Sequence, residues 1–226
     1  MFPYFGSKGR IGHLYPAPTR GRVFEPFCGS ARYSLLHRDK EVWINDLDPL
    51  IYSIWRYVQQ ATVKEIKCLP VLKAGESLDR HKWLSGVERA LLGFCLGFSQ
   101  SSPRTTCTKW ADRKQRCRLL KERLLEHREY VRQWKITNLH YSDLPDADAT
   151  WFTDPPYQHA KGRYRYHCVA DYDRLAAWCR SRRGQVIVCE GAGADWLPFR
   201  PFAEQQIGTG KMYKEVIWTG PEIGSE

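Results

Sequence analysis

Apolar residues in this chain come in short blocks that alternate with helical spacing. Residues 21–30, "GRVFEPFCGS", hold a brief apolar run ending in glycine and serine. "ARYSLLHR" follows, with Tyr33, Leu35 and Leu36 on one helical side. That order predicts strand, tight turn and helix. "EVWINDLDPLIYSIWRYVQQ" repeats it: Val42 to Ile44 as a buried strand, an acidic turn from Asn45 to Asp48, and a helix opened by Pro49. Proline suits a first helical position because its φ is preset and its missing amide is not needed there. Two such units in succession predict a parallel sheet.

From about Thr62 to Trp134 the pattern changes. No strand stands out, while "WLSGVERALLGFCLGFS" and "ADRKQRCRLLKERLLEHREYVRQW" have helical apolar spacing, the second as one long basic helix with Leu119, Leu120, Leu124 and Val131 inward. "QSSPRTTCTKW" between them is polar, basic and proline-broken, the composition of a loop able to meet phosphates or base edges. Strands resume in "WKITNLHYSDL", "ATWFTDPPY" and "GQVIVCEGA", with a helix from about Asp171 to Arg182. "AEQQIGTGKMYKEVIWTG" then predicts two strands joined by a glycine-containing turn, and the terminal "PEIGSE" is expected to fray. The pattern divides the chain into an α/β part, residues 1–61 and 135–226, and an inserted helical lobe at 62–134.

Composition narrows this further. The 226 residues suit one domain with a large core and carry a formal net charge of +10, which points to a polyanionic partner, nucleic acid first. Eight cysteines show no Cys-x-x-Cys spacing; Cys28, Cys95, Cys179 and Cys189 read as reduced core thiols, and Cys107 and Cys117 lack partners for a metal site. No segment has the length of a membrane span and the start has no signal-peptide order, so the expected setting is cytoplasmic.

Chemistry concentrates at the strand ends, where parallel sheets with helical crossovers bind ligands. Phe27, Cys28 and Gly29 follow the first strand, Asn45 and Asp46 the second, Asp143 and Leu144 the third, and Asp154, Pro155, Pro156 and Tyr157 the fourth. Each alone has an ordinary reading as a turn or helix cap. Together, small and acidic residues at four strand ends describe a nucleoside pocket, with Asp46 set to hold a ribose diol. Neither Gly-x-Gly-x-x-Gly nor Gly-Lys-Ser/Thr is present for a di- or triphosphate, and S-adenosylmethionine fits such a site.

"PYFGSKGR", "FEPFCGS", "INDLDP", "YSDL" and "TDPPY", in that order and with a helical insertion before the last, resemble the Dam-type DNA adenine N6-methyltransferases, the D12 class of the alpha group. The resemblance implies a Rossmann-like α/β methyltransferase fold, a mostly parallel sheet with a C-terminal antiparallel hairpin, and an inserted target-recognition lobe. It implies a bacterial or phage-infected cell and double-stranded DNA as partner, with no obligate protein partner, no membrane and no metal. By the same resemblance Tyr4, Phe5, Gly6, Lys8 and Glu25 line the cofactor site, Phe27 to Gly29 wrap the cofactor, Asp46 binds its ribose, Asp143 with Leu144 frames its adenine, and Asp154 adjoins it. This chain departs from the family where Ser30 and Ala31 replace the usual second glycine, and in its shorter length, which implies a compact lobe.

The family chemistry explains why an apolar run stops at Asp-Pro-Pro-Tyr. An exocyclic adenine amine is a poor nucleophile, so acceptors must take its hydrogen bonds while positive charge develops. Asp154 and the Pro155 carbonyl suit that task, the two prolines fix the carbonyl, and Tyr157 can stack on the base after it flips from the duplex. Arg104, Lys109 and Arg113 are the expected DNA contacts of the helical segment, and Arg163, Tyr164 and Arg165 those of the basic, aromatic stretch after the turn. RNA adenine as substrate, and a DNA-binding protein without turnover, are the competing readings.

Overall fold

The computed structural model describes residues 1–98, 101–159, 171–206 and 212–220. Along the chain they form β1 (Arg22–Glu25), α1 (Arg32–Leu36), β2 (Glu41–Asn45), α2 (Pro49–Gln60), α3 (Val63–Cys68), α4 (Gly86–Cys95), α5 (Lys109–Arg113), α6 (Arg116–Val131), β3 (Lys135–Thr137), β4 (Ala149–Thr153), α7 (Tyr172–Arg180), β5 (Gly184–Gly191), β6 (Arg200–Gln206) and β7 (Met212–Thr219). The seven strands lie in the order β3-β2-β1-β4-β5-β7-β6. β3, β2, β1, β4 and β5 pair in parallel, and β7 runs antiparallel to both β5 and β6. This is the mixed α/β, mostly parallel sheet with a C-terminal antiparallel pair that the sequence predicts.

Successive strand side chains point to opposite faces, and both faces are covered. Val23, Phe152, Ile187, Cys189 and Ile217 face one core, which also takes the apolar sides of α2, α3, α4 and α6. Phe24, Trp151, Val186, Val188 and Trp218 face the other, covered by Leu175, Trp178 and Cys179 of α7. Aromatic rings fill this second core: Phe24 stacks on Trp151 at 4.2 Å between centroids, and Trp178 meets Trp151 edge-on at 5.5 Å.

Among the described residues of 62–134 the regular elements are helices, joined by loops, with one isolated bridge between Ser77 and Thr106. Their buried residues belong to the same cluster as Ile51, Ile54 and Trp55 of α2. Thr62 with Glu65 and Ser85 with Glu88 form capping boxes on α3 and α4, each satisfying two amides that a helix start leaves unpaired. The Lys121 ammonium donates to the carbonyls of Lys67 and Leu69, both at 2.7 Å, and so ties α6 to the end of α3.

Two local expectations are corrected. The long basic helix is two helices, because Gln115 adopts a left-handed φ of 50° and breaks the run between α5 and α6. With α6 starting at Arg116 its buried stripe is Cys117, Leu120, Leu124, His127 and Val131, so Leu119 falls beside the stripe and is 37% exposed. In α1, only five residues long, Tyr33 and Leu35 are buried but Leu36 is 47% exposed. Among the described residues no helix is long and apolar enough to cross a membrane.

Gly184 opens β5 at a φ of +92°, where an added Cβ would overlap the Ala149 carbonyl oxygen of the neighbouring strand. Left-handed strain and the clash act together, so Gly184→Ala is expected to cost about 3 kcal/mol. A urea denaturation curve checks this; an unchanged midpoint would contradict the packing at the β4–β5 junction.

Candidate active site

The strand order turns back at β1: the chain builds outward through β2 and β3, then returns to place β4 on the other side of β1. Loops leaving β1 and β4 therefore diverge and leave a crevice between them, the usual ligand position in such sheets.

The turn after β1 is fixed by side chains from the turn after β2 and from α2. Gly29 donates its amide to Asp46 Oδ2 at 2.8 Å, and its carbonyl accepts from Trp55 Nε1 at 2.8 Å. At a φ of +44°, with a would-be Cβ 2.9 Å from the Tyr4 ring, Gly29 has both the backbone and the contact that exclude a side chain. Ala31 also adopts a left-handed φ of 45°, so the turn keeps a glycine-like conformation without the second glycine, at a cost of about 1–2 kcal/mol.

Asn45 holds the ends of three strands together. Its amide donates to the carbonyls of Pro26 and Leu139, both at 3.0 Å, and its oxygen accepts from Thr137 Oγ1 at 2.8 Å and the Leu139 amide at 2.9 Å. Next to it, Asp46 Oδ1 accepts from the Asp48 amide at 3.0 Å. Asp48 in turn caps α2, accepting from the Leu50 amide at 2.8 Å. Burial pushes the Asp46 carboxyl up to about 6, against the two amides that favour its ionised form.

The turn after β4 carries a buried polar network. Lys8 Nζ donates to Asp154 Oδ1 and to the Tyr157 hydroxyl, both at 2.7 Å, and to the Gly6 carbonyl at 3.1 Å. The Tyr157 hydroxyl donates to Glu215 Oε2 at 2.7 Å, and Glu215 Oε1 lies 3.6 Å from Lys8 Nζ. Burial alone would lower the Lys8 ammonium, but Asp154 and Glu215 outweigh it and hold the group above its usual value. Burial raises the Asp154 carboxyl and Lys8 opposes this. The Pro156 carbonyl accepts from the Tyr172 hydroxyl at 2.8 Å, whereas no donor among the described residues meets the Pro155 carbonyl. Glu190 completes the support by accepting from the Gln158 amide at 3.1 Å and Trp196 Nε1 at 2.9 Å.

Tyr4, Phe5, Gly6, Lys8, Glu25, Phe27, Cys28, Gly29, Asp46, Asp154 and Pro156 line one pocket. Asp143 and Leu144 are not among its lining residues: Asp143 is exposed in a short 3-10 turn, and Leu144 is buried in the second core. Tyr157 is 6% exposed and its ring lies parallel to Tyr213, so it serves the network rather than offering a bare stacking face. Sequence reasoning missed Ser7, Ser30 and Arg32 on the pocket wall, and Glu215 and Tyr15 behind it. Glu25 Oε1 accepts from the Tyr33 amide at 3.2 Å, but Glu25 Oε2 and Arg32 Nε are buried with no hydrogen-bond partner among the described residues. Burial pushes the Glu25 carboxyl up to about 8.

Arg104, Lys109 and Arg113 are exposed on the loop before α5 and on α5 itself. The Arg104 amide donates to the Gly93 carbonyl at 3.1 Å, which anchors that loop on α4. Arg163, Tyr164 and Arg165 lie outside the described residues.

Residues 4–82 match the family model of the D12 class N6 adenine-specific DNA methyltransferase. The matched segment contains the N-terminal turn with Lys8, the strand ends at Phe27 to Gly29 and Asn45 to Asp46, and α2 and α3. No curated protein matches the chain.

Removing the shared cation should expose the electrostatic cost of the network. Lys8→Met leaves Asp154 and Glu215 buried with no ammonium between them, a change expected to cost about 3–5 kcal/mol at pH 7. Both carboxyls are raised above their unfolded values, so folding takes up protons and the loss should shrink as pH falls to 5. Urea denaturation at the two pH values checks the sign; a loss that grows toward pH 5 would contradict it.

Proposed function

We propose, from the family match over residues 4–82, that the chain is a site-specific DNA adenine methyltransferase that uses S-adenosylmethionine and acts on N6 of an adenine flipped out of duplex DNA. One observation carries the reading: Lys8 and Asp154 meet at 2.7 Å beside a pocket walled by Gly29 and Asp46, where the strand order reverses. In this reading the sheet is a Rossmann-like methyltransferase fold, residues 1–61 and 135–226 form the catalytic domain, and 62–134 read the DNA target.

The residues present fit the cofactor. Each oxygen of Asp46 accepts one amide; Oδ1 keeps a lone pair for a ribose hydroxyl, and at Oδ2 a second hydroxyl would displace only the weak Cys28 thiol donor at 3.9 Å. Glu25 Oε2 and Arg32 Nε, both unpartnered on the pocket wall, suit the ammonium and carboxylate of an amino-acid end. When bound, S-adenosylmethionine supplies a methyl carbon made electrophilic by its sulfonium.

Asp154 and the Pro155 carbonyl then accept the two N6 hydrogens, which leaves the amine lone pair directed at that carbon. The prolines and the Tyr172 hydroxyl hold the turn rigid, so no reorganisation is needed as charge develops. Asp154, with a side chain 21% exposed, takes the proton that the methylated amine loses and returns it to solvent. Flipping costs a few kcal/mol of stacking, to be recovered by hydrogen bonds in the pocket. The +10 charge and the exposed Arg104, Lys109 and Arg113 suit the DNA backbone, and Arg163, Tyr164 and Arg165 are proposed to act alongside them.

Incubation with unmethylated duplex DNA and labelled cofactor, followed by nucleoside mass spectrometry, should yield N6-methyladenine. Asp154→Ala should abolish it while leaving salt-dependent DNA binding. Cofactor binding with no methylated base from the unmutated protein would instead favour a DNA-binding role without turnover.

The ribose subsite has its own pH signature. Asp46 must be ionised to accept both ribose hydroxyls, and its carboxyl sits at about 6, so affinity for S-adenosylhomocysteine should fall about tenfold from pH 7 to pH 5. Titration calorimetry on the unmutated protein and on Asp46→Asn, which should bind weakly at both pH values, tests the assignment. Equal pH dependence in the two proteins would refute it.

A further inference from the structure

The network behind Asp154 contains one more carboxylate than Lys8 needs. Lys8 alone would neutralise Asp154, yet Glu215, 3% exposed on β7, also faces the ammonium. A buried carboxylate costs several kcal/mol of desolvation unless something offsets it. Here the offset is built in: Glu215 Oε2 accepts from the Tyr157 hydroxyl at 2.7 Å and from the Tyr15 hydroxyl at 3.4 Å, while Oε1 is turned to Lys8. The neighbouring strand makes room. Glu215 pairs across from Gly191 of β5, where a Cβ would lie 3.0 Å from the Tyr213 hydroxyl and 3.3 Å from the Tyr157 ring.

We propose that Glu215 is a positioning residue of this site, which shares the Lys8 ammonium with Asp154 so that Asp154 stays a strong proton acceptor facing the reacting amine. This rests on the methyltransferase reading above. Charge explains the effect. With Lys8 cationic and both carboxylates ionised the cluster is net negative, and a net negative cluster favours an amine that turns cationic as its lone pair bonds to carbon and the carbon–sulfur pair leaves with sulfur. The amine proton passes to Asp154. Without Glu215, Lys8 and Asp154 form an isolated neutral pair, and the proton affinity of Asp154 falls.

The groups that face Glu215 come from every element around it. Lys8 and Tyr15 come from the N-terminal segment, Asp154 and Tyr157 from the turn after β4, Cys189 from β5, and Tyr213 from β7 itself, whereas Glu190 alternates to the opposite face of β5. Burial raises the Cys189 thiol and the Tyr15, Tyr157 and Tyr213 phenols, which keeps all four neutral at ordinary pH. Among the described residues Lys8 is thus the cation of the cluster, and Glu215 sets whether Asp154 holds it alone.

The test compares the unmutated chain with Glu215→Gln and Glu215→Asp. Single-turnover methyl transfer should slow about tenfold or more in Glu215→Gln with cofactor affinity within about twofold, and Glu215→Asp should recover much of the rate. The acid limb of the rate–pH profile should move to lower pH in Glu215→Gln, because one less negative neighbour makes Asp154 harder to protonate.

A second readout needs no turnover. In carboxyl NMR of protein labelled with 13C-aspartate, the Asp154 signal, assigned by its loss in Asp154→Ala, should titrate about one pH unit lower in Glu215→Gln. An unmoved Asp154 midpoint overturns the proposal, as does a slow variant whose acid limb stays in place or failure of both variants to fold. Absence of turnover in the unmutated chain counts against the methyltransferase reading alone, since the Asp154 midpoint is still measured.

Discussion

The Lys8 ammonium is the point at which three distant parts of the chain meet. It comes from the N-terminal segment, contacts Asp154 and Tyr157 at the end of β4, and faces Glu215 on β7. Burial would discharge a lysine in such a place if the carboxylates were not there, and would discharge the carboxylates if the lysine were not. Each charge is the condition for the other. The shape of the crevice follows: the N-terminal segment is drawn over the C-terminal ends of β1 and β4, and Tyr4 is pressed onto Gly29.

A second, uncharged constraint supports the other wall. Asn45 uses both amide hydrogens and both lone pairs of its oxygen to join the loops after β1, β2 and β3. Its neighbour Asp46 is thereby held rigidly while keeping acceptor capacity toward the pocket. The division of labour is physical: a fully satisfied amide can be buried at little cost, whereas a carboxylate is useful only where some of its lone pairs stay open.

The parts of this site that could be read from the sequence are those in which local pattern and position agree. An apolar block that ends in Cys-Gly or Asp-Pro-Pro-Tyr marks a strand end whatever lies around it, so Gly29, Asp46 and Asp154 stood out. Glu215 did not, because "KMYKEVIW" reads as a strand with a charged outer face. The signal was present in the period: Tyr213, Glu215 and Ile217 share one face, and Ile217 is core. Only the register of β7 against β5 shows that this face turns inward at Glu215. The break at Gln115 was equally hidden, since neither glycine nor proline marks it and the flanking residues favour helix. Asp143 and Leu144 diverge for a related reason: the short turn after β3 directs Leu144 into the second core.

The antiparallel insertion of β7 also sets the order in which this site can come into being. During synthesis Lys8 emerges first, Asp154 much later and β5 later still, and until the last two strands follow, the open sheet ends at β5 with an unpaired edge. The hairpin of β6 and β7 must then arrive and slide its second strand between β5 and its first before Glu215 can meet the ammonium. Contacts of such long sequence separation carry the largest loop-closure cost and form late in folding. A nascent chain therefore holds most of its pocket wall long before its charge cluster is complete, and the last strand to join the sheet is the one that closes the cluster.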